Sequence, residues 1–133
     1  YSPQGQSSTS PENFKLSFKG KLSENNRWVI MASLIPWSEL EEECDFDFST
    51  DTQAPAESFR MALGTLFIKE KLGMSDREIV EQIKENPYLQ YFIGYSSYNK
   101  EFSLNLSMLA NYRSKISDEL VNKVKRLVIN KMP

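Results

Sequence analysis

The segment between Phe59 and Asn86 carries the densest set of helix signals in the chain and constrains its fold most. Apolar residues recur there at the spacing i, i+3, i+4 and i+7, which is typical of a helix with one buried face: Phe59, Ala62, Leu63 and Leu66. Phe67 and Ile68 widen that face until little of the helix is left for water. We therefore expect a central helix over Glu57–Leu72 that is the most buried element of the domain.

Local signals divide this segment into separate helices. Gly73 supplies a left-handed stop, and Ser75 with Glu78 forms a capping box that starts the next helix. Asn86 can cap a third helix whose first position is Pro87. The pattern predicts a mainly α fold: a compact orthogonal bundle of about six short helices with helix-turn-helix-like elements and a short extended N-terminal segment.

The N-terminal part of the chain differs from the rest. Residues 1–25 are predicted to be mobile or extended, and residues 26–133 to form the helical domain. Alternation of apolar and polar residues over Phe14–Phe18 predicts a half-buried strand, which needs a pairing partner that the sequence does not identify. Asn26 and Pro36 start two short helices, and residues 45–55 are expected to be a linker.

Two further helices are predicted near the C-terminus. Asn105 can cap one that runs to about Ile116, with an inner stripe of four residues: Leu106, Leu109, Tyr112 and Ile116. Ser117 can cap the last one, whose inner side comprises Leu120, Val121, Val124, Leu127 and Val128.

The composition argues against catalysis by this chain. It has no histidine, which removes Ser-His-Asp and Cys-His sites and the usual zinc-ligand spacings. Its five glycines are scattered, so no phosphate-binding loop is present. The lone cysteine, Cys44, is expected to pack in the core. We predict a non-catalytic chain with no cofactor and no small-molecule substrate. No stretch approaches the ~20 apolar residues of a membrane span, so no membrane partner is expected.

Charge is distributed unevenly although the net charge is only -2. Acidic residues dominate up to Pro55, but from Lys100 onwards basic residues do: Lys100, Arg113, Lys115, Lys123, Lys125, Arg126 and Lys131. A basic end on a slightly acidic domain is a pattern that phosphate binding uses.

Three helices could enter a DNA groove. The one over Asp76–Glu85 is net negative and would be repelled by phosphates, so it is rejected. The helix Leu106–Ile116 fits better, because a polar face lies opposite its apolar stripe: Ser107, Asn111 and Ser114, flanked by Arg113 and Lys115. The alternative is a half-buried helix whose polar side merely faces water.

The last helix, Asp118–Met132, has two open interpretations. Lys123 and Arg126 on its outer side could contact phosphates. Equally, the helix could connect this domain to a following one. The start of the chain at Tyr1 rather than Met favours a piece of a longer protein.

The order of these segments resembles the amino-terminal domain of bacterial insertion-sequence transposases of the InsH type. The resemblance covers roughly residues 26–116 and is carried by a series of short anchors: Trp28, IPW at Ile35–Trp37, RMALG at Arg60–Gly64, KEKLG at Lys69–Gly73 and ENPYLQYFIG at Glu85–Gly94. The family often has a more basic run where this chain has Tyr112–Lys115. No single anchor is a chemical motif, but their number and order are specific.

The resemblance implies a DNA-binding domain that recognises the terminal inverted repeats of a mobile element, as part of a cytoplasmic, nucleoid-associated bacterial transposase. Its partner would be double-stranded DNA, with a homodimer possible. Strand cleavage, and the magnesium it needs, would belong to a DDE-type catalytic domain outside this chain. The alternative is a protein-interaction or dimerisation domain without base contact, whose surface would come from the Phe14–Phe18 strand and an aromatic cluster: Tyr88, Tyr91, Phe92, Tyr95 and Tyr98.

Overall fold

The computed structural model describes residues 10–16, 20–44 and 58–132. Within these ranges the chain forms one short 3₁₀ turn, Pro11–Asn13, and seven α-helices: α1 (Arg27–Leu34), α2 (Trp37–Glu43), α3 (Ser58–Leu72), α4 (Asp76–Glu85), α5 (Pro87–Phe92), α6 (Leu106–Lys115) and α7 (Asp118–Lys131). No β-strand occurs in the described ranges. The predicted mainly α class is confirmed. The predicted linker at 45–55 and residue Glu57 lie outside the described residues.

The predicted helix boundaries are set by side chains that accept bonds from backbone N–H groups. Ser75 Oγ accepts from the Glu78 N–H at 3.2 Å, and the Glu78 carboxylate accepts in return from the Ser75 N–H at 3.1 Å. Asn86 caps α5 with a single bond, because its Oδ1 accepts from the Tyr88 N–H at 2.9 Å. Gly73 has a φ of 63°, the left-handed conformation that ends α3 at low cost in a residue without a Cβ.

Helix α3 lies at the centre, as expected from its continuous apolar character. It packs against α4, α6 and α7, while α1 and α4 both pack against α5. Gly64 allows a close approach, because a Cβ there would meet the Ile93 side chain at 3.1 Å. The short α5 is thereby held against the middle of α3.

Four rings form the interior where α1, α2, α3 and α5 meet, and we call them the aromatic centre: Trp28, Trp37, Phe67 and Phe92. Phe92 contacts the other three, with ring centroids 5.3 to 5.5 Å apart. The two tryptophan contacts are edge-on and the Phe67 contact is stacked, and aromatic pairs of either kind add about 0.5–1.5 kcal/mol each beyond simple burial. The IPW and YFIG anchors of the sequence therefore supply core packing.

The described part of the N-terminal segment lies on the helical body. Phe14 and Leu22 are both buried. Lys15 forms a single parallel bridge with Ser97, in which its carbonyl accepts from the Tyr98 N–H at 2.7 Å. The partner of the extended backbone at Lys15 is thus a loop of the same chain. Residues 17–19 of the predicted strand lie outside the described residues.

Candidate nucleic-acid interface

Helix α6 begins on a supported loop. Asn105 Oδ1 accepts from the Met108 N–H at 2.8 Å and from Ser107 Oγ at 2.7 Å. Upstream, the fully buried Gln90 amide accepts from the Asn99 N–H and donates to the Asn99 carbonyl, at 2.7 and 3.0 Å. The loop before α6 is therefore tied to α5 by buried hydrogen bonds.

The inner side of α6 differs in one place from the predicted stripe. Leu109, Tyr112 and Ile116 are buried, but Leu106 is 45% exposed and its neighbour Met108 is exposed as well. The prediction for Leu106 was wrong because the first turn of α6 extends beyond the core. Periodicity gives the direction of a side chain but not the position at which the core ends.

The opposite face of α6 is open to water. Ser107, Asn111 and Ser114 are exposed, and so is the small Ala110 between them. Ser114 Oγ donates to the Asn111 carbonyl at 2.7 Å, so its hydroxyl lies close to the helix surface. No hydrogen bond engages the Asn111 side-chain amide within the described residues. An outward-facing amide among small residues can approach a base edge.

Arg113, predicted to flank this face, is paired within the chain. Its guanidinium donates to both oxygens of Asp76 at 3.1 and 2.9 Å, in the two-pronged geometry that orients both groups. Lys69 lies 3.7 Å from the same carboxylate. The hydrogen bond from Arg113 is the main reason that the pKa of Asp76 is below its usual value. The acidic first turn of α4 thus fixes the direction of Arg113.

Lys123 on α7 also has an acidic partner. Its ammonium group contacts the carboxylate of Glu43, the last residue of α2. Both side chains are almost half exposed. Arg126, one turn further along α7, is exposed, and no carboxylate within the described ranges lies in ion-pair distance of it.

A groove of about 680 Å³ lies between the ends of α2 and α6 and the outer side of α7. We call it the cationic groove, because five of the seven predicted site residues line it: Arg113, Ser114, Lys115, Lys123 and Arg126. Glu43 and Glu119 also line it. Ser107 and Asn111 lie outside the groove, on the exposed face nearer the start of α6. The structure therefore brings the predicted cations together and leaves the predicted base reader Asn111 beside them.

The base of the groove is fixed by buried contacts. Cys44, predicted to pack in the core, is half-buried against it and its Sγ donates to the Lys115 carbonyl at 3.4 Å. The predicted inner side of α7 is buried at Leu120, Val121, Val124 and Val128, whereas Leu127 is only half-buried. Ser117 caps α7 through the Leu120 N–H at 3.1 Å, as predicted.

Sequence reasoning missed the two acids that pair with the cations. Asp76 was considered only as part of a net negative helix, and Glu43 only as one of the acidic residues that precede Pro55. The negative charge of these two residues could have indicated the pairs, because a net negative helix and a net positive helix can pack side by side. It also missed Arg60, which is buried and donates from Nε to the Phe92 carbonyl at 2.9 Å.

The aromatic cluster proposed for protein contacts is partly internal. Tyr91 and Phe92 are buried, whereas Tyr88, Tyr95 and Tyr98 are half-buried. The hydroxyl of Tyr88 accepts from the Ser23 N–H, and that of Tyr98 donates to the Lys84 carbonyl, both at 2.9 Å. The expectation that this cluster supplies an interaction surface is wrong for its buried members, because they already fill the core.

Two searches of the described residues concern other classes of site. They contain no group of three or more His, Cys, Asp or Glu side chains that could hold a metal ion. Among the same residues, no helix has the length and apolar character needed to cross a membrane.

These features define a small all-α domain that presents one polar helix face beside a cation-lined groove. The chain belongs to the family described as a transposase domain (DUF772), whose sequence profile matches residues 16–115. The resemblance read from the short anchors is thereby confirmed.

One curated relative is a Rhizobium meliloti protein described as "Uncharacterized protein ORF8 in nfe locus". It is 31% identical over 91 residues, a match that covers 68% of this chain and 44% of the relative. The chain thus spans less than half the length of that protein. No solved structure matches the chain.

Proposed function

We propose that this chain is the DNA-binding domain of a transposase and that it recognises the terminal inverted repeats of its element through α6 and α7. The observation that carries the proposal is the exposed face of α6, with Asn111 at its middle, directly beside the cationic groove. Membership of the transposase domain family supports a role in transposition. Base reading requires such a polar helix face, and positioning requires nearby cations for phosphates.

Each side chain has a separate task in this proposal. Asn111 bonds a base edge, adenine being the base that an amide can contact in two places. Ser107, Ala110 and Ser114 are small enough to let the helix enter the groove of the duplex. The side chains of the cationic groove contact the phosphate backbone on one side of that helix: Arg113, Lys115, Lys123 and Arg126. Buried Leu109 and Tyr112 hold the helix rigidly during contact.

In the parent protein this domain would hold the element ends while a separate DDE-type domain cleaves the strands. The family resemblance assigns the divalent metal, magnesium, to that other domain, and this assignment stays an expectation.

A binding experiment on duplexes tests the proposal. Affinity for a terminal-repeat duplex should fall steeply as salt rises, because each phosphate contact releases counterions. Asn111→Ala should weaken binding to the repeat by about 1–3 kcal/mol and leave binding to a scrambled duplex nearly unchanged, so the sequence preference relaxes. Lys123→Ala should weaken binding to both duplexes by the same factor.

The matched control is Lys71→Ala, which removes one exposed positive charge from α3, outside the groove. It should change affinity less than Lys123→Ala does. Absence of duplex binding at low salt would contradict the proposal. Self-association that salt leaves unchanged would instead favour the dimerisation domain.

A further inference from the structure

The carboxylate of Glu43 lies in the cationic groove, against a cation that the proposed function assigns to phosphate contact. It ends α2, a helix whose last three residues are all glutamate, and it reaches across the cationic groove to Lys123. Arg113, Lys115 and Arg126 line the same groove. A carboxylate of the chain is thus paired with Lys123, a cation that the proposed function needs for phosphate contact.

The two acid–base pairs at this surface differ in how easily they can exchange partners. Asp76 holds Arg113 with two hydrogen bonds, contacts Lys69 as well and belongs to the capped first turn of α4. Glu43 and Lys123 are both almost half exposed, and Glu43 is the terminal residue of a short helix. Exposed pairs of this kind contribute little to stability, so an incoming anion can displace the carboxylate.

We propose that Glu43 is an internal phosphate mimic that competes with DNA for Lys123 and thereby lowers the affinity of the domain for any duplex. The inference rests on the proposed DNA-binding function and adds its regulation. DNA binding must move the Glu43 carboxylate away from Lys123, and breaking this pair lowers the affinity. Because phosphate contacts carry no sequence information, the penalty applies equally to repeat and scrambled duplexes.

Charge-neutral substitution separates this effect from a general change in charge. Glu43→Gln should tighten binding to both duplexes by about threefold to fivefold at low salt, within the range that exposed charge pairs allow. Glu39→Gln removes the same charge from the same helix, but Glu39 lines a different cavity, beside Arg60 and Tyr91. It should change affinity by less than about twofold, because Glu39 does not line the cationic groove and its carboxylate pairs with none of the groove's cations within the described residues.

A double substitution tests whether Glu43 acts through Lys123. In a Lys123→Ala background, Glu43→Gln should give no more than the small gain of Glu39→Gln. Circular dichroism and thermal unfolding of each variant verify that the fold is kept. If the wild-type chain binds duplexes and Glu43→Gln behaves like Glu39→Gln, the mimic is refuted while the DNA-binding function stands. If no variant binds any duplex, the function fails and this inference fails with it.

Discussion

Two arginines, Arg60 in the interior and Arg113 at the surface, show how differently the two halves of this domain use positive charge. Arg60 is 4% exposed, donates to the carbonyls of Tyr91 and Phe92, and lies 4.7 Å from the centre of the Trp37 ring. Arg113 has a side chain that is 44% exposed and it pairs with Asp76.

The difference lies in the partners and not in the residue type. Carbonyls at the end of α5 cannot leave Arg60, and a cation there also matches the helix dipole. Burial lowers the pKa of Arg60 to about 10, which still leaves it charged at neutral pH. Arg113 faces water while it keeps its contact with Asp76. Arg60 therefore stabilises the core, whereas Arg113 lies at the surface, where the proposed function needs a cation.

The largest expected effect comes from exchanging these arginines for an apolar residue. Arg60→Leu should lower the free energy of unfolding by about 4 kcal/mol, because the buried Phe92 carbonyl loses its Arg60 donor, the Tyr91 carbonyl keeps the Gly94 N–H but loses Arg60, and the contact with Trp37 is lost. Arg113→Leu should cost about 1 kcal/mol or less, as expected for an exposed pair. Urea unfolding followed by circular dichroism measures both. Equal losses would contradict the distinction between the two regions.

A second pair of substitutions sharpens the boundary between core and surface within α6. Leu109→Ala should cost about 3 kcal/mol, the typical loss for a fully buried leucine. Leu106→Ala, the same change on the same helix, should cost less than about 0.5 kcal/mol because its side chain is largely exposed. Thermal and urea unfolding of the two variants check this. A large loss of stability in Leu106→Ala would instead indicate that Leu106 is buried, as the sequence predicted.

What the sequence could predict was mostly local. Asn26, Ser75, Asn86, Asn105 and Ser117 all cap helices as expected, because a cap depends only on residues two or three positions away. The apolar period likewise placed α3 at the centre. These features need no knowledge of the rest of the fold.

The composition of the candidate site was predictable only in part. Asp76 and Arg113 are 37 positions apart, and Glu43 and Lys123 are 80 apart. No local pattern connects such pairs, so the polar face of α6 could be proposed but the acids that neutralise its neighbours could not. The burial of Leu106 was wrongly predicted for the same reason, because tertiary packing decides where the core ends.

The smallest expected effect is a change in stability with pH that depends on Tyr112. It tests whether the inner side of α6 excludes water as well as the surroundings of Arg60 do. Burial, with a smaller contribution from Tyr95, raises the pKa of Tyr112 to about 12. In the unfolded chain Tyr112 ionises near pH 10, so above that pH the unfolded state gives up a proton that the folded state keeps. The stability that Tyr112 contributes is therefore complete below about pH 10 and is lost as pH rises towards 12.

Arg60 makes stability rise with pH over the same range, because its pKa is lower in the folded state than in the unfolded one. The effect of Tyr112 is therefore isolated by comparing the wild-type chain with a variant that lacks the phenol. Tyr112→Phe should gain stability relative to the wild-type chain between about pH 10 and 12, on the order of 1 kcal/mol when partial contact of the phenol with water is allowed for. Urea unfolding of both proteins at closely spaced pH values provides the measurement. If their stabilities keep a constant difference over that range, water reaches the phenol, and the inner side of α6 is less protected than the site of Arg60.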